Sequence, residues 1–154
     1  MIAGPEHAEV LGRLLHDFNV EFDSPTPSAR ELATRFAVLL GQDDQLALLA
    51  GTPEAPTGFA YLTLRGTPYH DGPVALLEEL YVVPHLRGRG TGTQLLTAAM
   101  DLVRSRGAQE MQINVDEVDA DARRFYERHG FRNDGDDGRM LFYEQVWETG
   151  PGPS

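Results

Sequence analysis

With 154 residues, 13 arginines, 24 aspartates and glutamates and a formal charge of −11, the chain suits one domain around one core. It has no cysteine and no lysine, which excludes disulfides, thiolate nucleophiles, cysteine zinc sites, Schiff-base lysines and a lysine-bearing phosphate loop. The acidic balance argues against a general nucleic-acid binder, which needs a basic face, and fits either a cationic substrate drawn to an acidic cleft or a solvated acidic surface.

The apolar residues Val10, Leu11, Leu14, Leu15 and Phe18 recur with a helical period, which predicts a helix over 6–22. Pro25 and Pro27 in DSPTPS (23–28) break it, and Ser28 is placed to cap a second helix over 29–40 that carries Leu32, Phe36, Leu39 and Leu40. Strands are predicted at 45–50 and 58–65, separated by the turn-rich GTPEAPT. The turn GTPYHDGP (66–73) leads into a third long strand, 74–83. A helix over 91–106 closes at Gly107, a strand follows at 110–115, and a helix over 120–129 closes at Gly130. Short strands are expected near 131–132 and at 139–147 (RMLFYEQVW), and the tail 148–154 is expected to be disordered.

This order predicts one mixed α/β domain over 1–147, a mixed central sheet with helices on both faces. Strands 74–83 and 110–115 should be parallel, joined by a right-handed crossover. Any strand ahead of the first helix is short or missing, a stub at Met1–Ile2. No apolar run approaches the ~18 residues that span a bilayer, and the N-terminus lacks a signal-peptide pattern. The expectation is a cytoplasmic protein without membrane, nucleic-acid or metal partners.

The most informative stretch is LEELYVVPHLRGRGTGTQLL, residues 76–95. Two adjacent carboxylates, Glu78 and Glu79, interrupt an apolar strand that stops at Pro84, and a glycine- and arginine-rich turn then opens a helix. Unsatisfied N–H groups at a helix N-terminus attract anions. Gly88, Gly90 and Gly92 would let the backbone approach one, and Arg87 and Arg89 add charge. The same turn also serves as a plain strand–helix connection. Its glycines fit neither G-x-x-x-x-G-K-[ST] nor G-x-G-x-x-G.

The string R-G-R-G-T-G resembles the acyl-CoA-binding motif [QR]-x-x-G-x-[GA] of the GCN5-related N-acetyltransferases, the GNAT superfamily. Val82-Val83-Pro84 matches the V-x-P that ends the preceding strand in that family. DADARRFYERHGF (119–131) resembles its N-x-x-A-x-x-x-Y-x-x-x-G-F element. The resemblance implies an acetyl-CoA-dependent N-acetyltransferase. In that reading the N–H groups of Arg87, Gly88, Arg89, Gly90, Thr91, Gly92 and Thr93 cradle the CoA pyrophosphate. The backbone of Leu80, Tyr81 and Val82 pairs with the pantetheine arm where strands 74–83 and 110–115 splay apart. Asp119 and Ala122 fall at cofactor-contacting positions. Asp119 stands where the family usually has asparagine, and an ionised carboxylate accepts hydrogen bonds but donates none.

Acetyl transfer needs a neutral amine, a stabilised oxyanion and a proton for the leaving thiolate. Alkyl amines have pKa values near ~10, so a base helps at neutral pH. Glu78 or Glu79 would serve, or would bind the ammonium group, or would pair with an arginine on a neighbouring element. Strict alternation along a strand puts them on opposite faces. The resemblance to small-molecule acetyltransferases reading L-E-x-x-Y-V-x-P places the acid at Glu78. The same resemblance makes Tyr126 the proton donor to the thiolate, a position equally compatible with core packing beside Phe125. A backbone N–H near Tyr81 or Val82 would hold the oxyanion. Tyr69, His70 and Asp71, and likewise Glu21 and Asp23, are candidates to line the acceptor cleft. His85 and His129 receive no role. The expected acceptor is a primary amine of a small cationic molecule. Alternatives are a protein N-terminus or lysine, and a catalytically silent acyl-CoA-binding module. Homodimers are common in the family, so a dimer is an expectation.

Overall fold

The computed structural model describes residues 1–148; beyond Glu148 the expected disordered tail lies outside them. The chain divides into two compact units, Met1–Ile113 and Asn114–Ser154.

The first unit is a five-stranded sheet in the order β1-β2-β3-β4-β5, flanked by three helices. The short first strand expected at Met1–Ile2 is present as β1 (Ile2–Ala3), antiparallel to β2 (Gln45–Gly51) through Ile2 opposite Leu48 and Ala3 opposite Ala47. Between them run α1 (Ala8–Glu21), after a 3-10 turn at Pro5–His7, and α2 (Ala29–Leu39). Ser28 caps α2 as expected. Its hydroxyl accepts from the Glu31 N–H at 3.1 Å, while its own N–H donates to the Glu31 carboxylate at 2.9 Å. The two helices approach closely at Gly12, where a Cβ would stand 2.6 Å from the Ala33 nitrogen.

Strand β3 (Pro56–Arg65) pairs antiparallel with β2 and with β4 (Val74–Val82). After β4, a 3-10 turn at Pro84–Leu86 and the glycine turn lead into α3 (Thr91–Ser105), and β5 (Glu110–Ile113) returns parallel to β4. Helix α3 ends in a Schellman pair, Ala108 N–H to Val103 and Gly107 N–H to Arg104, with Gly107 at φ +89°.

Strand alternation divides the core into two layers. Ala47, Leu49, Phe59 and Tyr81 pack with Leu11, Leu14 and Phe36 of α1 and α2. Leu46, Leu48 and Ala60, of the other parity, are also buried, as are Leu95, Leu96, Ala99 and Val103 of α3, which packs on β2, β3 and β4. Each large side chain so buried contributes about 1.5–3 kcal/mol.

The second unit holds α4 (Ala120–Arg128) and a small hairpin, β6 (Asp134–Gly135) with β7 (Gly138–Arg139). Two expectations are corrected here. No strand forms at 131–132, and the strand expected at 139–147 is represented only by Arg139 in β7. Apolar alternation shows that a segment is able to form a strand, but a strand exists only where a partner edge takes its N–H and C=O groups. Among the described residues 140–148 joins no ladder, the Met140 N–H donating to the Asn133 carbonyl at the end of the hairpin, and Met140, Leu141, Phe142, Tyr143, Val146 and Trp147 are exposed.

Candidate active site

The site begins with an irregularity in β4. Opposite β3, Tyr61 pairs with Glu79 but Leu62 pairs with Leu77, so Glu78 is an extra residue on β4. This β-bulge breaks the alternation on which an opposite-face assignment of Glu78 and Glu79 rests. Both glutamates line the same pocket, a cavity of about 170 Å³ formed by α1, α2, β3 and β4. The expectation that they face opposite sides is therefore corrected.

Their environments differ nonetheless. Glu78 is exposed and accepts a hydrogen bond from the Thr63 hydroxyl at 2.9 Å. Glu79 is half-buried and has no hydrogen bond or ion pair among the described residues. Burial, reinforced by the Glu78 charge, pushes the Glu79 carboxyl up from 4.5 to about 7. Neither glutamate pairs with an arginine among the described residues. Beside them the Tyr61 hydroxyl hydrogen-bonds Gln45, and its ring meets Phe36 edge-on at 5.3 Å. Burial first, then the charges of Glu78 and Asp44, pushes the Tyr61 phenol up to about 12. Tyr61 thus keeps its proton throughout the neutral range and forms a wall.

Downstream along β4, the ladder to β5 runs only from Val74–Glu110 to Leu77–Ile113. Leu80, Tyr81 and Val82 keep their β3 partners Ala60, Phe59 and Gly58 and have no β5 partner. One edge of β4 is thus left without a β5 ladder where the splayed strands were expected, and β5 stops at Ile113 instead of residue 115.

In the turn, Gly88 and Gly90 adopt φ +77° and +83°, and a Cβ at either would meet nothing within 4 Å. Gly90 is the N-cap of α3 and offers no side-chain cap, so the first N–H groups of the helix, at Thr91, Gly92 and Thr93, find no capping side chain. The two arginines diverge. The Arg87 guanidinium donates to both Glu21 carboxylate oxygens at 2.6 and 2.9 Å and to the Val82 carbonyl at 2.9 Å, and it lies over the Phe22 and Tyr81 rings. Arg89 is exposed and has no side-chain partner among the described residues.

Several candidates are not brought to this pocket. Glu21 binds Arg87 instead, and Asp23, with φ +54°, is not part of the lining. Tyr69, His70 and Asp71 sit on the turn at the far end of β4, and none lines the pocket. Sequence reasoning missed Tyr61, Gln45, Thr63 and Arg35. The strand pattern at 58–65 is visible in the sequence, but which β3 residue faces Glu79 follows only from the register.

In the second unit, the Asp119 carboxylate caps α4 by accepting from the Ala122 N–H at 3.1 Å. That hydrogen bond gives the aspartate a local use that asparagine would serve equally. Tyr126 is half-buried on α4, with ring contacts to Phe125 at 5.1 Å and to Phe131 at 5.9 Å.

Comparison with known proteins gives a consistent result. The model of the acetyltransferase (GNAT) family matches residues 11–131. The uncharacterised N-acetyltransferase YhfO of Bacillus subtilis (strain 168) is 36% identical over 61 residues, 40% of this chain and 41% of that protein. The aminoalkylphosphonate N-acetyltransferase of Salmonella typhimurium (strain LT2) is 34% identical over 64 residues, 42% of each. The chain therefore spans about two-fifths of the length of these curated relatives. A crystal structure assigned to an acetyltransferase of Arthrobacter sp. FB24 superposes with a TM-score of 0.87 at 48% identity, covering 96% of this chain and 94% of that one.

Proposed function

This chain belongs to the acetyltransferase (GNAT) family, and on that premise we propose that it transfers an acetyl group from acetyl-CoA to a primary amine, with Glu79 taking the amine's proton. The observation that carries this reading is the β4 bulge, which turns Glu78 and Glu79 onto one pocket upstream of the glycine turn on the same strand. From Val82 back to Glu79 the strand runs ~10 Å at ~3.3 Å per residue. One strand therefore links a donor-binding turn to an acceptor pocket.

The turn suits the donor's pyrophosphate. Its outer face is open at Gly88 and Gly90, the α3 N-terminus has no side-chain cap, and Arg89 has no side-chain partner among the described residues. Leu80, Tyr81 and Val82 offer the pantetheine arm a strand edge that β5 does not cover, with the Val82 carbonyl accepting from Arg87. In the transfer, the amine nitrogen forms a bond to the acyl carbon, the carbon–sulfur bond breaks, and the sulfur takes up a proton. An amine of pKa ~10 is neutral in only about one molecule per thousand at pH 7. Glu79, with its carboxyl near 7, is a better-matched base than an ordinary glutamate. Glu78, charged and held by Thr63, attracts the incoming ammonium. The family motif assigns Tyr126 the proton for the departing thiolate and a β4 N–H near Tyr81 or Val82 the developing oxyanion.

Thiol release from acetyl-CoA across a panel of amines and short peptides tests this. Glu79→Gln and Tyr126→Phe should each lower kcat about 10²-fold or more, with the KM for acetyl-CoA little changed. Glu78→Gln should act mainly on the amine KM. Saturable acetyl-CoA binding without thiol release to any amine or peptide would instead indicate a binding module.

A further inference from the structure

The acceptor pocket carries a finer statement about its ligand, one that rests on the acyl-transfer reading above. Its walls are unlike those expected for a polycation. Leu15, Leu32, Phe36 and Leu39 supply an apolar lining. Three of them, Leu15, Leu32 and Phe36, belong to the buried core, so the lining is fixed by the same packing that joins α1 to α2. Charge is confined to one side, where Glu78 and Glu79 stand together, and to one guanidinium, Arg35, on α2.

Size narrows the choice. The cavity measures about 170 Å³, and an apolar protein cavity of ~150 Å³ holds a benzene molecule. An aminosugar with two or more rings exceeds this several-fold, and any of its hydroxyls held against the leucine and phenylalanine side chains would lack partners there. A second ammonium on the same ligand would approach Arg35. A single ammonium facing the glutamates, on a hydrocarbon body of benzene size, sets its charge against carboxylates and its body against the leucine and phenylalanine side chains.

We propose that the pocket selects a compact, apolar primary monoamine, with the ammonium at Glu78 and Glu79 and a branched-alkyl or phenyl body against Leu32, Phe36 and Leu39. Arg35 works as a specificity residue that disfavours a second positive charge. This separates the chain from enzymes that take long polyamines or aminoglycosides.

The test compares benzylamine, phenethylamine and isoamylamine with spermidine and neamine in the thiol-release assay. It uses wild type, Leu39→Asp and Arg35→Glu, and measures amine binding separately by calorimetry on the acetyl-CoA-free protein. Leu39 is half-buried at the pocket wall, so its substitution should leave the fold intact, which an unchanged KM for acetyl-CoA verifies. The expected result is a kcat/KM for the apolar amines at least ten-fold above that for spermidine or neamine. Leu39→Asp should erase this preference, and Arg35→Glu should raise spermidine turnover several-fold. Equal or better turnover of spermidine or neamine by wild type would overturn the pocket assignment while leaving acyl transfer intact. If no amine releases thiol, the transfer reading fails, and calorimetry decides the pocket alone. Phenethylamine binding that Leu39→Asp abolishes upholds it, and the absence of binding overturns it.

Discussion

Arg87 and Glu21, 66 residues apart, form a two-pronged ion pair at 2.6 and 2.9 Å that ties the start of the glycine turn to the end of α1. The pair is reinforced by the Val82 carbonyl and by the rings of Phe22 and Tyr81. The first arginine of the motif is thus committed to bracing the turn, whereas Arg89 has no side-chain partner among the described residues.

The two arginines should therefore respond differently. Arg89→Ala should weaken acetyl-CoA binding about ten-fold, the equivalent of about 1.4 kcal/mol, and flatten its dependence on salt. Glu21→Gln keeps both turn arginines but removes the brace. It should weaken donor binding only two- to three-fold with an unchanged salt slope, and cost less than about 1 kcal/mol of stability, since both groups are partly exposed. Donor titrations at several ionic strengths separate the two outcomes, and a larger loss of affinity in Glu21→Gln would refute the division of labour.

If Glu79 is the base proposed above, activity and stability should run oppositely with pH. As a base it works deprotonated, so kcat/KM should rise with pH through a midpoint near its value of about 7. Glu79→Gln should lose that limb, and Glu78→Gln should shift it to lower pH by removing the neighbouring charge. For folding, the carboxyl titrates near ~4.3 in the unfolded chain and higher in the folded one, so the folded state holds the extra proton between these values. Its contribution is intact below the unfolded value and is lost as pH rises through about 7. Glu79→Gln, which stays neutral, should be more stable than wild type at pH 8 by about 1–3 kcal/mol and equal to it at pH 4. Urea midpoints at the two pH values give the answer directly.

The α1–α2 contact positions the pocket walls Leu15, Leu32 and Phe36 and depends on Gly12. A Cβ there would stand 2.6 Å from the Ala33 nitrogen and 2.7 Å from the Ala29 carbonyl oxygen, both backbone atoms. Gly12→Ala should cost about 1–3 kcal/mol and, by spreading the helices that carry Leu15, Leu32 and Phe36, raise the amine KM more than the acetyl-CoA KM. Thermal melts and the two KM values check it. An unperturbed melt would show that the helices separate freely.

Local rules make much of the fold legible in the amino-acid sequence. The two prolines after α1, the Ser28 cap and the glycines closing α3 and α4 act within a few residues, and each stands where the sequence placed it. The glycine turn is legible for the same reason, because positive φ at Gly88 and Gly90 is a property of single residues.

What the sequence alone determined was therefore the order of elements as far as α4, most of their ends, and the strand–turn–helix that marks the family. Three matters belonged to tertiary structure. The bulge at Glu78 exists only in the pairing of β4 with β3, and it reversed the inference from alternation that set the two glutamates on opposite faces. The partner of Arg87 comes from α1, because a charge bonds whatever packing brings near it. The segment 140–148 has strand-like alternation yet joins no ladder among the described residues, because a strand is defined by the neighbour that takes its hydrogen bonds. Residue types and short spacings fix what a segment can form; register and packing, which couple residues far apart in the chain, decide which side chains meet in the pocket.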